Sequence, residues 1–219
     1  MKRAVSLVGT AFADTNTTAS TTAATQNQAL AASGLSPEQI IQNNLGQLPG
    51  ISKWEFRQRA TTPNSVNSAA AQVSLPGLWE GEALITADAA VSSLGSLGHA
   101  AIVDNAAYNL SSFPSGGATY YPNSAWSSYS SVGIVGGSGK GQAAVNDLLD
   151  KHYLGVGYNY AFWDKWTTGA FYCSQLVWRG FFDVGLNLDP GYPYIAPKQI
   201  WDNTTALPKT YFNYNMGTR

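Results

Sequence analysis

The run Phe171–Gly185 constrains the fold more than any other stretch of the chain. Leu176, Val177, Gly180, Phe181 and Val184 recur at helical spacing and fall on one face. Gly185 stands where a glycine can close such a helix at its C-terminus. Thr167, Thr168 and Gly169, just upstream, read as loop. A helix with one apolar face must bury it against another layer, and the segments before it supply short strands. Trp79–Thr86 reads as a turn followed by a strand, His99–Asp104 as a second strand, Tyr108–Phe113 as its return, and Val132–Val135 as a further one. The pattern predicts an α+β domain: an antiparallel sheet of about five or six strands packed against this helix.

Cys173 opens the helix and is the only cysteine in the chain. A helix N-terminus presents unpaired N–H groups and the positive end of the dipole, which favours a thiolate. A thiolate nucleophile needs a base, and the chain offers two histidines, His99 and His152. The other reading of a lone cysteine is a small buried hydrophobe. One cysteine excludes an intrachain disulfide framework, and no Cys/His cluster has zinc spacing, so neither a metal nor another cofactor is implied. Charged residues are 11% of the chain and the formal net charge is -1, with no basic stripe that would engage nucleic acid. No apolar run is long enough to span a bilayer. Oligomeric state is not legible.

Residues 1–13 read as a short secretory signal: Lys2 and Arg3, an apolar run from Ala4 to Thr10, then Ala11-Phe12-Ala13 as an A-x-A cleavage pattern. Residues 14–75 read as a low-complexity spacer or pro-region rich in Thr, Ala, Asn, Gln and Ser, with one short helix from Ser36 to about Leu45. Residues 76–219 form the compact domain. The composition suits an exported protein, and the first third reads as a pro-region or wall-spanning spacer.

Alternation places His99, Ala101 and Val103 on one face of their strand. With Asn105 and Ala106 as a two-residue turn, Ser112 falls opposite His99; a one-residue bulge brings Ser111 there instead. Pro114–Ser130 reads as turn-rich and aromatic. Gly136–Gly141 lacks the spacing of a phosphate loop and reads as a turn into a helix from Gln142 to about Tyr153, with His152 at its C-terminal end as a surface cap. Tyr120, Tyr121, Trp126, Tyr158, Tyr160 and Trp163 read either as a groove for sugar or peptide or as loop packing.

Four segments resemble the circularly permuted branch of the NlpC/P60 superfamily, the YiiX/YaeF/YycO-like papain-fold hydrolases. They are Gly81-Glu82-Ala83-Leu84-Ile85-Thr86, Gly98-His99-Ala100-Ala101-Ile102-Val103, Gly157-Tyr158-Asn159-Tyr160, and Phe171-Tyr172-Cys173-Ser174-Gln175-Leu176-Val177-Trp178. Asp189, Pro197 and Ile200 match a downstream D-P turn and P-x-x-I element. The resemblance implies a permuted papain-like fold in which Cys173 is the nucleophile and His99 the general base. Tyr158 would line the site, with Tyr172 and Ser174 beside the cysteine as further substrate contacts. Ser111 stands where the family often has a Glu that orients the histidine, and it brings no charge. The implied activity is a secreted bacterial cysteine hydrolase of amide bonds, acting on peptidoglycan stem peptides. Two alternatives stay open: a weak or inactive copy that binds cell-wall or surface material, and a lipid-directed thiol acyltransferase or thioesterase.

Overall fold

The computed structural model describes residues 34, 75, 77–86, 98–129, 132–136, 139–189, 191–203, 207 and 209–212. The expected signal, the Ser36–Leu45 helix and nearly all of the spacer lie outside the described residues. The strands are β1 (Ala83–Thr86), β2 (His99–Val103), β3 (Tyr108–Phe113), β4 (Gly117–Pro122), β5 (Gly133–Val135) and β6 (Lys209–Phe212). A 3-10 helix, Asn123–Ser128, follows β4, and the α-helices are α1 (Gly141–Asp150), α2 (Cys173–Asp183) and α3 (Pro197–Asp202). The strands form one six-stranded sheet in the order β4-β3-β2-β1-β5-β6, antiparallel at every pairing. The α+β class with an antiparallel sheet is therefore the architecture.

Both faces of the sheet are covered, so β1 and β2 are buried at every position. One face carries Ala83, Ile85, Ala100, Ile102, Leu110 and Val135 against α1 and α2, with Leu148, Leu176, Val177 and Phe181. The other carries Leu84, Ala101, Val103 and Ile134 against Trp126, Tyr129 and Val132, with Leu75 and Leu78 at its margin. Helix α2 is the main covering element. Its start is tied by Gln175, whose Oε1 accepts the Tyr172 N–H at 3.1 Å. Its end is closed by Gly185 at φ 80°, with Leu186 N–H donating to Phe181 O at 2.9 Å. Against α1 it crosses at Gly180, where an added Cβ would sit 3.0 Å from the Ala144 carbonyl oxygen. A side chain there would press the neighbouring helix aside by a few tenths of an ångström.

Three expectations change. The aromatic stretch after Pro114 is not merely turns: Gly117–Pro122 is β4, an edge strand paired along β3 from Phe113↔Gly117 to Tyr108↔Pro122. Its glycine start and proline end hide a strand whose single-sided pairing tolerates them. The β2–β3 turn has three residues, not two, since Asp104 N–H and Asn105 N–H both donate to Tyr108 O, at 3.0 and 3.1 Å. Asn105 Oδ1 stabilises it by accepting Ala107 N–H and Tyr108 N–H, at 2.9 and 3.0 Å. The longer turn moves the register by one, to Ala101↔Ser111. Ser111, rather than Ser112, then shares a face with His99. Finally, α1 stops at Asp150, and His152 takes the left-handed conformation at φ 56° just beyond it.

Candidate active site

Cys173 is the first residue of α2 and is 3% exposed. It sits where the ladder between β2 and β3 ends: that ladder covers Ala101–Val103 and stops short of His99 and Ala100. Ser112, beyond the ladder, donates its hydroxyl to Phe171 O at 2.6 Å, which ties β3 to the segment leading into the cysteine. The backbone N–H groups of Ala100, Ser174 and Cys173 itself lie near the sulfur and favour its ionised form. Ser174 Oγ lies 4.0 Å from it. Burial pushes the thiol above its ordinary range, against the pull of those N–H groups. This reverses the expectation drawn from the helix N-terminus. Desolvation of an anion with 3% exposure outweighs a helix end worth about 1 kcal/mol.

His99 opens β2 and is fully buried. Its ring stacks on Phe113 with centroids 4.7 Å apart and tilts against Trp126 at 5.6 Å. Its Nε2 lies 3.2 Å from Ser111 Oγ. Its Nδ1 has no hydrogen-bond partner among the described residues. Burial lowers its pKa to about 3. The thiol and imidazole are therefore both neutral at rest. The ring leans toward the Trp126 face while the sulfur arrives from the α2 face, and no hydrogen bond joins them. They meet only through Ala100, whose N–H reaches the sulfur and whose preceding residue is His99.

Tyr158 is buried beside the cysteine, and the sulfur's charge helps to raise its pKa, after burial itself. Its hydroxyl has no partner among the described residues. Tyr172 and Ser174 are placed differently. Tyr172 OH donates to Phe162 O at 3.4 Å and accepts Ile195 N–H at 3.0 Å. Ser174 donates to Ile195 O at 2.7 Å. Both hydroxyls thus hold the Ile195 segment against the start of α2. The aromatic residues considered together in the sequence separate across the sheet: Trp126 and Tyr121 pack on one face, Tyr158, Tyr160 and Trp163 on the other.

Sequence reasoning missed the polar residues that hold these side chains. Gln175, fully buried two residues after the cysteine, donates to Lys165 O at 3.1 Å and Thr167 O at 3.0 Å, and accepts from Asn159 at 3.0 Å. Lys165, also buried, pairs with Asp189 and donates to Tyr192 O. Asn109 accepts the Ser111 hydroxyl at 2.9 Å. Asn109 shares a face with Ser111 by alternation, but it carries no signal of its own until the register shows that Ser111 meets His99. Among the described residues no group of three or more His, Cys, Asp or Glu gathers in metal-binding geometry, and no helix is long and apolar enough to cross a membrane.

No family model, curated protein or solved structure matches the chain. The likeness to permuted NlpC/P60 hydrolases thus rests on the four sequence segments alone.

Proposed function

We propose that the chain is a cysteine hydrolase of amide bonds with a permuted papain-like fold, using Cys173 as nucleophile and His99 as general base. The observation that supports this reading is that Cys173 heads α2 beside the end of β2 that His99 opens, with Ala100 between them. The Ala100 N–H eases ionisation of the Cys173 thiol, and the neighbouring imidazole keeps Nδ1 unpartnered while Ser111 holds Nε2. A buried basic nitrogen without a partner is costly unless another state of the molecule uses it.

Both groups start neutral, so the reaction begins by proton transfer rather than from a thiolate–imidazolium pair. His99 Nδ1 takes the thiol proton as Sγ attacks the carbonyl carbon. The Cys173 N–H, at the head of α2, contributes to stabilising the oxyanion. The imidazolium passes its proton to the leaving amine as the C–N bond breaks, leaving a thioester on Cys173. Water then attacks the thioester, His99 takes its proton, and the acid leaves as the thiol is restored. Ser111 steadies the ring without charge, so the imidazolium gains less support than a carboxylate would give. Peptide stems of the bacterial cell wall are the proposed substrates, and the outside of the cell is the proposed location.

A second reading is favoured by one observation: Cys173 is 3% exposed and His99 is fully buried. A binding module derived from such a hydrolase would need neither group open to substrate. Incubating the full chain with wall peptides and following cleavage by mass spectrometry separates the two. Hydrolysis lost in Cys173→Ala and reduced about 100-fold or more in His99→Ala supports the enzyme. Retention on intact wall without cleavage, unchanged in Cys173→Ala, overturns it in favour of the binding module.

A further inference from the structure

A chain of buried amides runs from His99 to the β2–β3 turn. Ser111 Oγ donates to Asn109 Oδ1 at 2.9 Å. Asn109 Nδ2 donates to Asn123 Oδ1 at 2.9 Å. Asn123 Nδ2 donates to the backbone carbonyl of Asn105 at 2.8 Å. Asn109 and Ser111 are fully buried, and Asn123 is 5% exposed. The last link decides the direction of all the others. A carbonyl can only accept, so the NH2 end of Asn123 must face Asn105 and its oxygen must face Asn109. The NH2 end of Asn109 is then committed to Asn123, and its oxygen to Ser111. Ser111 has one proton, and Asn109 takes it. What Ser111 has left for the imidazole is a lone pair, which requires a proton on Nε2. A neutral imidazole with Nε2–H carries its lone pair on Nδ1.

We infer that Asn109 and Asn123 are positioning residues for His99: anchored on the Asn105 carbonyl, they hold the imidazole as the Nε2–H tautomer and leave Nδ1 as its basic nitrogen. This rests on the proposed catalytic role of His99 for its functional meaning, though not for its structural content. Where a histidine serves as general base, an acceptor on the far side of the ring commonly selects the tautomer. Here a backbone carbonyl three side chains away does so, through a relay without a single formal charge. The relay also joins the length of the β2–β3 turn to the chemistry. Asn105 supplies both the side chain that stabilises the three-residue turn and the carbonyl that orients the relay.

The test is nitrogen-15 NMR of the imidazoles in the full chain, where long-range couplings distinguish the two tautomers. With two histidines in the sequence and His152 exposed, the two spin systems are readily assigned. The expected result is one tautomer, Nε2–H, for His99. An Nδ1–H form, or a mixture, overturns the inference. Asn109→Ala frees the Ser111 hydroxyl to turn its proton toward the ring, so an Nδ1–H population is expected. Asn109→Asp keeps an acceptor toward Ser111 and retains the single tautomer. Asn123→Ala lets the Asn109 amide flip and gives a mixture, which repeats the test if Asn109→Ala does not fold. A single Nε2–H form persisting in a folded Asn109→Ala or Asn123→Ala overturns the inference. On wall peptides, kcat should fall in proportion to the Nδ1–H fraction at constant KM. Absence of turnover in the unmodified protein sinks the catalytic reading and leaves the tautomer result standing.

Discussion

The thiol of Cys173 is defined by what surrounds it more than by where it sits on its helix. Burial raises its pKa while three N–H groups pull it down. Alkylation by iodoacetamide should therefore be slow at pH 7, at least 10-fold slower than for the guanidine-unfolded chain, and should accelerate only at alkaline pH. Rates measured against pH on both forms check this; fast alkylation of the folded protein near neutral pH would show an activated thiolate and contradict the burial argument. His99→Ala should leave that slow rate nearly unchanged, because no resting ion pair exists to lose. Lys165 makes the opposite point. Its ammonium is buried between Asp189, Tyr192 O and the rings of Trp166 and Trp178, each 5.6 Å away. Lys165→Ala leaves Asp189 without its partner and should cost about 3 kcal/mol in denaturant unfolding.

The helices show how far local rules reach. Helix α1 ends in a tight motif in which His152 N–H donates to Leu149 O at 3.0 Å and Tyr153 N–H to Leu148 O at 3.1 Å. His152 occupies the left-handed position there, which a glycine fills with less strain. His152→Gly should stabilise the chain by about 1 kcal/mol in chemical denaturation, and Gly185→Ala, at the equivalent position after α2, should destabilise it by about the same. Equal signs for the two changes would refute this account of the caps. The Gly185 stop, the start of α2 at Cys173 and strands β1, β2, β3 and β5 were readable from the chain because each depends on neighbours in sequence. β4 was not readable, since an edge strand bounded by Gly117 and Pro122 carries a turn's composition. The register of β3 was not readable either: one extra residue in a turn held by Asn105 decides which serine meets His99. The state of Cys173 stayed open between an activated thiolate and a small buried hydrophobe, because burial is set by residues far away along the chain.

At the scale of the whole molecule, a neutral imidazole inside the sheet makes stability depend on acidity. His99 has an ordinary value of 6.5 when exposed and about 3 when folded. The unfolded chain therefore takes up this proton first as the pH falls. The contribution is complete above about pH 6.5 and is lost progressively as pH drops toward about 3, with a slope of up to about 1.4 kcal/mol per pH unit. Thermal unfolding from pH 8 to pH 4 should show a steeper decline in the unmodified protein than in His99→Gln, and equal slopes would argue against a neutral buried ring. The Ala100 amide has a related consequence. Its N–H lies by a sulfur atom and eases that thiol's ionisation, whereas most amides of a buried strand bind carbonyls that never change. Whatever is attached to that sulfur alters how tightly one proton of the sheet is held. The exchange of the Ala100 amide with deuterated solvent is thus a clock built into the backbone, running at one rate for the free thiol and faster while an acyl or alkyl group occupies it.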